Sequence, residues 1–367
     1  MKFIINKKTL LEGLQIVQKA VTTKSTLPVL SGILLKAKSN NELKLIATDL
    51  EMSIETTIEA DIKEKGAIVL PAKYFVEIVR KLEEGFLNLT TDEEKWQAHL
   101  QSGLFAMTIH GFDPNEFPSI MQINNDNSLD LNQALLKKMI EQTCFAVSHD
   151  ESRPFLTGVL LNIQDGLDLV ATDGHRLALK KNKEINASPM SAIVPAKALN
   201  EIARFLKMDE HIAVRVNWND KQISFSLNNI CLITRLIEGQ FPNYKQLIPS
   251  SYTTEVVINK DELNNALERA SLIVRGESNI VKLRISPNNL SISSNTPEVG
   301  DSNEEINCTA EGDNLQIAFN FKYILDALKI IEEEEIVFKF TGNLSPGIIH
   351  GLNENSYIYV IMPVRSH

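Results

Sequence analysis

Long apolar runs are missing from this chain of 367 residues. No stretch approaches the roughly 18 apolar residues that a membrane helix needs. The opening Met1-Lys2-Phe3-Ile4-Ile5-Asn6-Lys7 turns polar too early for a signal peptide. The expectation is a soluble, cytoplasmic protein. Cysteine is scarce: Cys144, Cys231 and Cys308 match no CxxC or metal spacing. An odd, sparse set reads as reduced thiols packed as small core residues, and no metal or cofactor is expected. The Gly-x-Ser-x-Gly elbow, the HExxH helix and the Walker loop are all absent. Aromatic residues make up only 6%. The helical segments hold few of them, which disfavours stacking on single-stranded bases. The net charge of −10 would argue against nucleic acid if it were evenly spread.

The chain does contain a repeat. Ile46-Ala47-Thr48-Asp49-Leu50 recurs as Val170-Ala171-Thr172-Asp173-Gly174, 124 residues on. Val69-Leu70-Pro71-Ala72-Lys73 recurs as Ile193-Val194-Pro195-Ala196-Lys197, and Phe117-Pro118 as Phe241-Pro242, both at the same offset. Leu27-Pro28-Val29-Leu30-Ser31-Gly32 corresponds to Arg153-Pro154-Phe155-Leu156-Thr157-Gly158 at 126, so one loop differs by two residues. A fainter third copy shows in Leu290-Ser291-Ile292-Ser293-Ser294-Asn295 and in Asn320-Phe321-Lys322-Tyr323, which echoes Pro71-Ala72-Lys73-Tyr74. It lacks the Thr-Asp and Pro-Ala-Lys signatures. Three domains follow: 1–124, 125–250 and 251–367.

Each copy opens with apolar residues at helical spacing, near 9–17, 133–140 and 262–268. A second helix is expected from Pro71, from Pro195 and near Asn320, since proline suits the first helical position. Alternating runs such as Leu43–Ala47, Ile223–Leu227 and Ile336–Phe340 predict half-buried antiparallel strands. The fold class is α+β, with two helices on one side of antiparallel sheet in each copy.

Charge is segregated. The windows 6–20, 71–82, 132–147, 195–207, 259–275 and 321–331 hold sixteen basic and eight acidic residues. The helices are thus net positive on an acidic remainder. Surface helices favour Lys and Arg in general; a shared basic face would also suit sequence-neutral contact with a duplex backbone.

Taken together, Thr26-Leu27-Pro28-Val29-Leu30, Ala47-Thr48-Asp49-Leu50-Glu51-Met52, Ala171-Thr172-Asp173-Gly174-His175-Arg176-Leu177-Ala178, Gly239-Gln240-Phe241-Pro242-Asn243-Tyr244 and the terminal Val360-Ile361-Met362-Pro363-Val364-Arg365 resemble the bacterial DNA polymerase III β subunits, the sliding clamps. The resemblance covers the whole chain. It implies a head-to-tail homodimer, a closed ring of six domains with helices lining the hole and sheets outside. It implies a non-catalytic accessory subunit whose partners are double-stranded DNA, replicative and translesion polymerases, the clamp loader, and mismatch-repair and ligase-type proteins. A topological link to DNA needs little phosphate affinity, so an acidic chain is compatible with it.

By the same resemblance, a peptide-binding groove matches Leu156, Thr172, Gly174, His175, Arg176, Leu177, Pro242, Leu247, Pro346, Val360, Met362, Pro363, Val364 and Arg365. Apolar walls would accept Leu or Phe anchors, and Thr and Arg would hydrogen-bond the peptide. Leu177, Leu247 and Val360 could equally be plain core. Lys24, Lys73, Arg153, Lys197 and Arg204 are the candidates for facing DNA, each with a solvated surface charge as the alternative. Met107 and Ile109 on one strand, with Leu272 and Ile273 near the end of a helix, are the candidate dimer contact. Two other readings stand beside this one. One is an enzyme using Asp173 and His175, although the first copy has Glu51 where His175 would fall; the other is a repeat scaffold that binds peptides but not DNA. Ser366-His367 extends past the Arg365 that ends the motif.

Overall fold

The structure, a computed structural model, describes the chain outside residues 39, 121–122, 124–126, 210, 275, 277 and 366–367. Its helices are α1 (Lys7–Val17), α2 (Ala72–Lys81), α3 (Gln133–Glu141), α4 (Ala196–Phe205), α5 (Lys260–Val274) and α6 (Phe321–Ile330). They fall as a pair in each repeat, where the apolar spacing places them. Helix α1 buries Leu10, Gly13, Leu14 and Val17, and α6 buries Phe321, Ile324, Leu325 and Leu328, each a single apolar stripe. The side chains of Asn6 and Asn320 cap α1 and α6 by accepting from Lys8 N and Lys322 N. Pro71 occupies the cap of α2 rather than its first turn. None of the described helices is long and apolar enough to cross a membrane.

The strands form four antiparallel sheets, and the sheets do not follow the repeats. The first copy contributes Gly32–Ala37, Glu42–Thr48, Met52–Glu59 and Gly66–Pro71 to an eight-stranded sheet. The other four strands of that sheet, Ser128–Asn132, Ala213–Trp218, Gln222–Leu227 and Ile230–Arg235, come from the second copy. The seam is Met52–Glu59 against Ile230–Arg235. A nine-stranded sheet joins the second copy to the third in the same way, with Arg176–Asn182 against Tyr357–Ile361 at its seam. Each seam therefore pairs the strand after the Thr-Asp turn of one copy with the last strand of the next. Within each copy the antiparallel strands divide between two sheets. Alternation reports which face of a strand is buried, not which strand lies beside it.

Two half-sheets remain without such a continuation. One is the five-stranded sheet of the first copy, which ends in Phe105–His110. The other is the four-stranded sheet of the third copy, which ends in Gly300–Asn307. By position in the repeat, these are the last strand of copy one and the strand following the turn region of copy three.

The chain divides into two compact units, Met1–Gln133 with Arg204–Leu236 and Ala134–Ala203 with Ile237–His367. In the first, α1 and α2 pack together, and Phe3, Phe75 and Phe225 are among its fully buried side chains. In the second, α5 and α6 pack together, and the rings of Phe319, Phe338 and Phe340 cluster with centroids 4.3–6.3 Å apart. Cys144 is buried, and burial pushes its thiol pKa upward. Cys231 and Cys308 are only half-buried, short of the core placement expected for all three.

Candidate functional site

The second unit holds a turn closed by side-chain hydrogen bonds of Thr172 and Asp173. It links the strands Leu167–Thr172 and Arg176–Asn182. The Thr172 hydroxyl donates to Arg176 O at 2.6 Å and accepts from Gly174 N at 3.1 Å. Asp173 Oδ1 accepts from His175 N at 2.8 Å and from Arg176 N at 3.0 Å. Asp173 is thus a turn former, as Asp commonly is, and its other oxygen takes Arg176 Nε at 3.1 Å. Gly174 sits at φ +92, in the left-handed region, where a Cβ would meet only Arg153 Nη1, at 3.6 Å.

An apolar floor lies alongside. Leu160, Val170, Leu177, Leu179, Ile193, Tyr244 and Val360 form one buried cluster, flanked by half-buried Phe155, Ile237, Phe241, Ile248 and Ile358. Leu177 and Val360 stand directly opposite each other across the seam. Leu156 is buried at the end of the short turn Pro154–Leu156. Tyr244 is fixed by its hydroxyl donating to Asp168 Oδ2 at 2.8 Å; burial first, and that carboxylate second, push its pKa upward. On the open side, Leu247 is 42% exposed and Met362 39% exposed. Pro242 and Pro346 are half-buried. The terminal segment is held by Met362 N donating to His175 O at 2.9 Å and Val364 N to Ala318 O at 2.8 Å. Pro363 and Val364 are half-buried and Arg365 is exposed, whereas Ser366-His367 lies outside the described residues.

Two of these placements differ from the expectation that Thr and Arg face a peptide. The Thr172 proton is already given to a backbone carbonyl, and Thr172 is buried. Arg176 is only 9% exposed and is held internally. Nη1 donates to Asp326 Oδ2 at 2.7 Å and Nη2 to Phe145 O at 2.9 Å. The guanidinium lies over the rings of Tyr323 at 4.6 Å and Phe145 at 5.5 Å. Burial opposes its charge, yet the Tyr359 hydroxyl and the Asp326 and Asp173 carboxylates outweigh that and raise its pKa. Sequence reasoning missed Phe145, Tyr323, Asp326 and Tyr359. The echo of Lys73-Tyr74 in Lys322-Tyr323 points to Tyr323 alone.

The basic candidates are all exposed but scattered in setting. Lys24 lies in the loop before the turn Pro28–Ser31, and Lys73 in the first turn of α2. Lys197 and Arg204 belong to α4. Arg153 pairs with Asp150 at 3.3 Å and stands beside Gly174, which puts it at the rim of the apolar site. Several other helix cations are paired with acids: Lys7 with Glu84 at 2.9 Å, Lys138 with Glu332 at 2.7 Å, and Arg269 with Glu304 at 2.9 Å. The positive layer counted in the sequence is therefore partly neutralised locally.

Of the edge candidates, Met107 is 40% exposed and Leu272 is 69% exposed, while Ile273 is half-buried. Ile109 is only 6% exposed, covered within the first unit. It shares a face with Met107 but stands opposite Ala98, which is also buried.

Three family models match in succession. They are the DNA polymerase III beta subunit N-terminal domain over residues 1–121, the central domain over 130–243 and the C-terminal domain over 245–365. The beta sliding clamp of Staphylococcus epidermidis is 37% identical, and that of Staphylococcus aureus 36% identical, over the full length of both chains in each case. Among solved structures, the DNA polymerase sliding clamp of Bacillus subtilis aligns with a TM-score of 0.96 at 36% identity, covering all of both chains. The DNA polymerase III beta subunit of Thermotoga maritima aligns at 0.93 and 31%, again over all of both chains.

Proposed function

The chain belongs to the DNA polymerase III beta subunit family, and on that premise we propose that it works as a sliding clamp. Two copies close head to tail around duplex DNA, slide along it and tether a polymerase to its template. The chain acts as an accessory subunit and carries no catalysis of its own. The observation that carries this reading is the pattern of seams. Two seams join copy one to copy two and copy two to copy three by the same strand pairing. The strands that would form a third such seam, Phe105–His110 and Gly300–Asn307, are both sheet edges. On the first of these, Phe105 and Met107 are exposed, and an edge with exposed apolar side chains needs a partner. Pairing one chain's first edge with another chain's second edge is a heterologous contact, and it gives a closed ring if the rotation closes.

The apolar site beside Gly174 is the proposed docking groove for polymerases, the clamp loader, and repair and ligase-type partners. Leu247 and Met362 line its mouth, and the Leu177–Val360 seam forms its floor. Because Thr172 and Arg176 are committed internally, the exposed groups left to meet a peptide there are Gly174, His175, Arg153, Leu247, Met362 and Arg365. The basic residues Lys24, Lys73, Lys197 and Arg204 are proposed as weak, sequence-neutral phosphate contacts, each adding a small salt-sensitive increment. Native mass spectrometry tests the assembly: a two-chain species is expected at micromolar concentration. A single-chain species alone would overturn the ring.

A further inference from the structure

The first copy contains the same turn without its arginine. Thr48 Oγ1 donates to Met52 O at 3.0 Å and accepts from Leu50 N at 3.1 Å. Asp49 Oδ1 accepts from Glu51 N at 3.1 Å and Met52 N at 2.7 Å. Leu50 takes the left-handed conformation at φ 75, where Gly174 stands in the second copy. Even the seam bond is repeated: Arg235 N donates to Glu51 O as Met362 N donates to His175 O, both at 2.9 Å. In the place of Arg176 stands Met52, which is buried. Closing the turn therefore does not require an arginine, and the buried guanidinium of the second copy must serve something the first copy lacks.

What the second copy adds is an attachment to α6. Arg176 reaches Asp326 Oδ2 and lies over the Tyr323 ring. The His175 ring stacks on that same tyrosine at 6.5 Å and 16°. Tyr359, one strand residue before Val360, donates its hydroxyl to Tyr323 O at 2.9 Å. We propose that Asp326 is a positioning residue of the docking groove. Through Arg176, it fastens the Gly174-His175 wall to α6, and so sets where Met362 and the terminal segment stand relative to that wall. The assignment rests on the reading of this site as a peptide groove. Asp326 does not itself face the groove: Oδ2 is on Arg176, and Oδ1 takes Lys329 Nζ at 3.3 Å. Replacing it leaves Arg176 with the Asp173 carboxylate and the Phe145 carbonyl, so the charge stays balanced and the unit is expected to fold.

The test uses the full chain and a fluorescein-labelled hexapeptide ending in Leu-Phe, followed by anisotropy. Losing one charge-assisted hydrogen bond that positions the wall should weaken peptide binding about fivefold to tenfold in Asp326→Ala. Asp326→Asn keeps an acceptor oxygen and should recover most of it. In the Asp326→Ala variant the His175 ring proton signals should move as the stack on Tyr323 loosens. In an Arg176→Met background, Asp326→Ala should add no further loss, because the pair acts as one unit. Equal affinity of Asp326→Ala and the parent chain, or full additivity with Arg176→Met, would overturn the proposal. A parent chain that does not bind the peptide would instead overturn the groove itself, which keeps the two failures apart.

Discussion

Replacing Leu272 by Asp should split the ring into folded single chains. Leu272 lies two residues before the end of α5, beside the sheet whose edge is Gly300–Asn307, and it is the more exposed of the two candidates there. Within one chain it contributes almost no packing, so its loss should leave thermal stability nearly unchanged. Across a ring contact it would be covered. Fully burying a leucine contributes about 1.5–3 kcal/mol. A two-chain head-to-tail ring has two identical contacts, so one substitution per chain removes two such side chains, about 3–6 kcal/mol. That corresponds to a loss of about 10² to 10⁴ in dimer affinity, before the cost of desolvating the new carboxylate. Sedimentation velocity over a concentration series, with a thermal melt of the same sample, reads both quantities. An unchanged dimer with an unchanged melt would refute the placement of Leu272 in the contact. Ile109→Asp makes the contrast. That side chain is buried in its own unit, so its replacement should lower the melting temperature itself and not only the assembly.

Other consequences follow from the same geometry. Gly174→Leu should keep its turn, because Leu50 already holds that conformation in the first copy; it should cost about 1–2 kcal/mol of stability and abolish most peptide binding by anisotropy. Lys180 is buried with its ammonium on Glu354 and on Ser356 Oγ at 2.8 Å; Lys180→Ala strands the carboxylate and should destabilise the second unit by about 3–5 kcal/mol in a urea melt. Asp130 is hydrogen-bonded by Arg215 through Nε at 2.9 Å and Nη2 at 2.7 Å, which holds its carboxyl below the usual range. A depressed folded pKa means that this contribution is present above the unfolded carboxyl pKa and is lost as the pH falls through the folded one. The melting difference between the parent chain and Asp130→Asn should therefore be small at neutral pH, where the pair is solvent-exposed, and should vanish by strongly acid pH.

The repeat was legible because its signatures encode local chemistry. Thr48-Asp49 and Thr172-Asp173 recur because the same four turn bonds recur around them. The helix pairs were legible from apolar spacing. Strand partnership was not: Met52–Glu59 and Ile230–Arg235 lie far apart in sequence, and their alternation would be the same beside any other strand. The interior use of Arg176 was hidden for a related reason. An arginine next to a glycine-containing turn reads as exposed until Asp326, Phe145 and Tyr323 are brought to it from distant segments. Ile109 and Met107 share one face of one strand, yet only the structure distinguishes the covered residue from the open one. The net positive count of the helices took no account of Glu84, Glu304 and Glu332, which answer three of those cations from outside the helical windows.

The central claim is topological: the chain holds DNA by enclosing it. Loaded onto a nicked circular duplex and then passed over a gel-filtration column, the protein should travel with the DNA. After the circle is cut once with a restriction enzyme, the same protein should slide off the ends and elute free. Equal retention on circular and linear DNA would mean ordinary binding and would contradict the clamp.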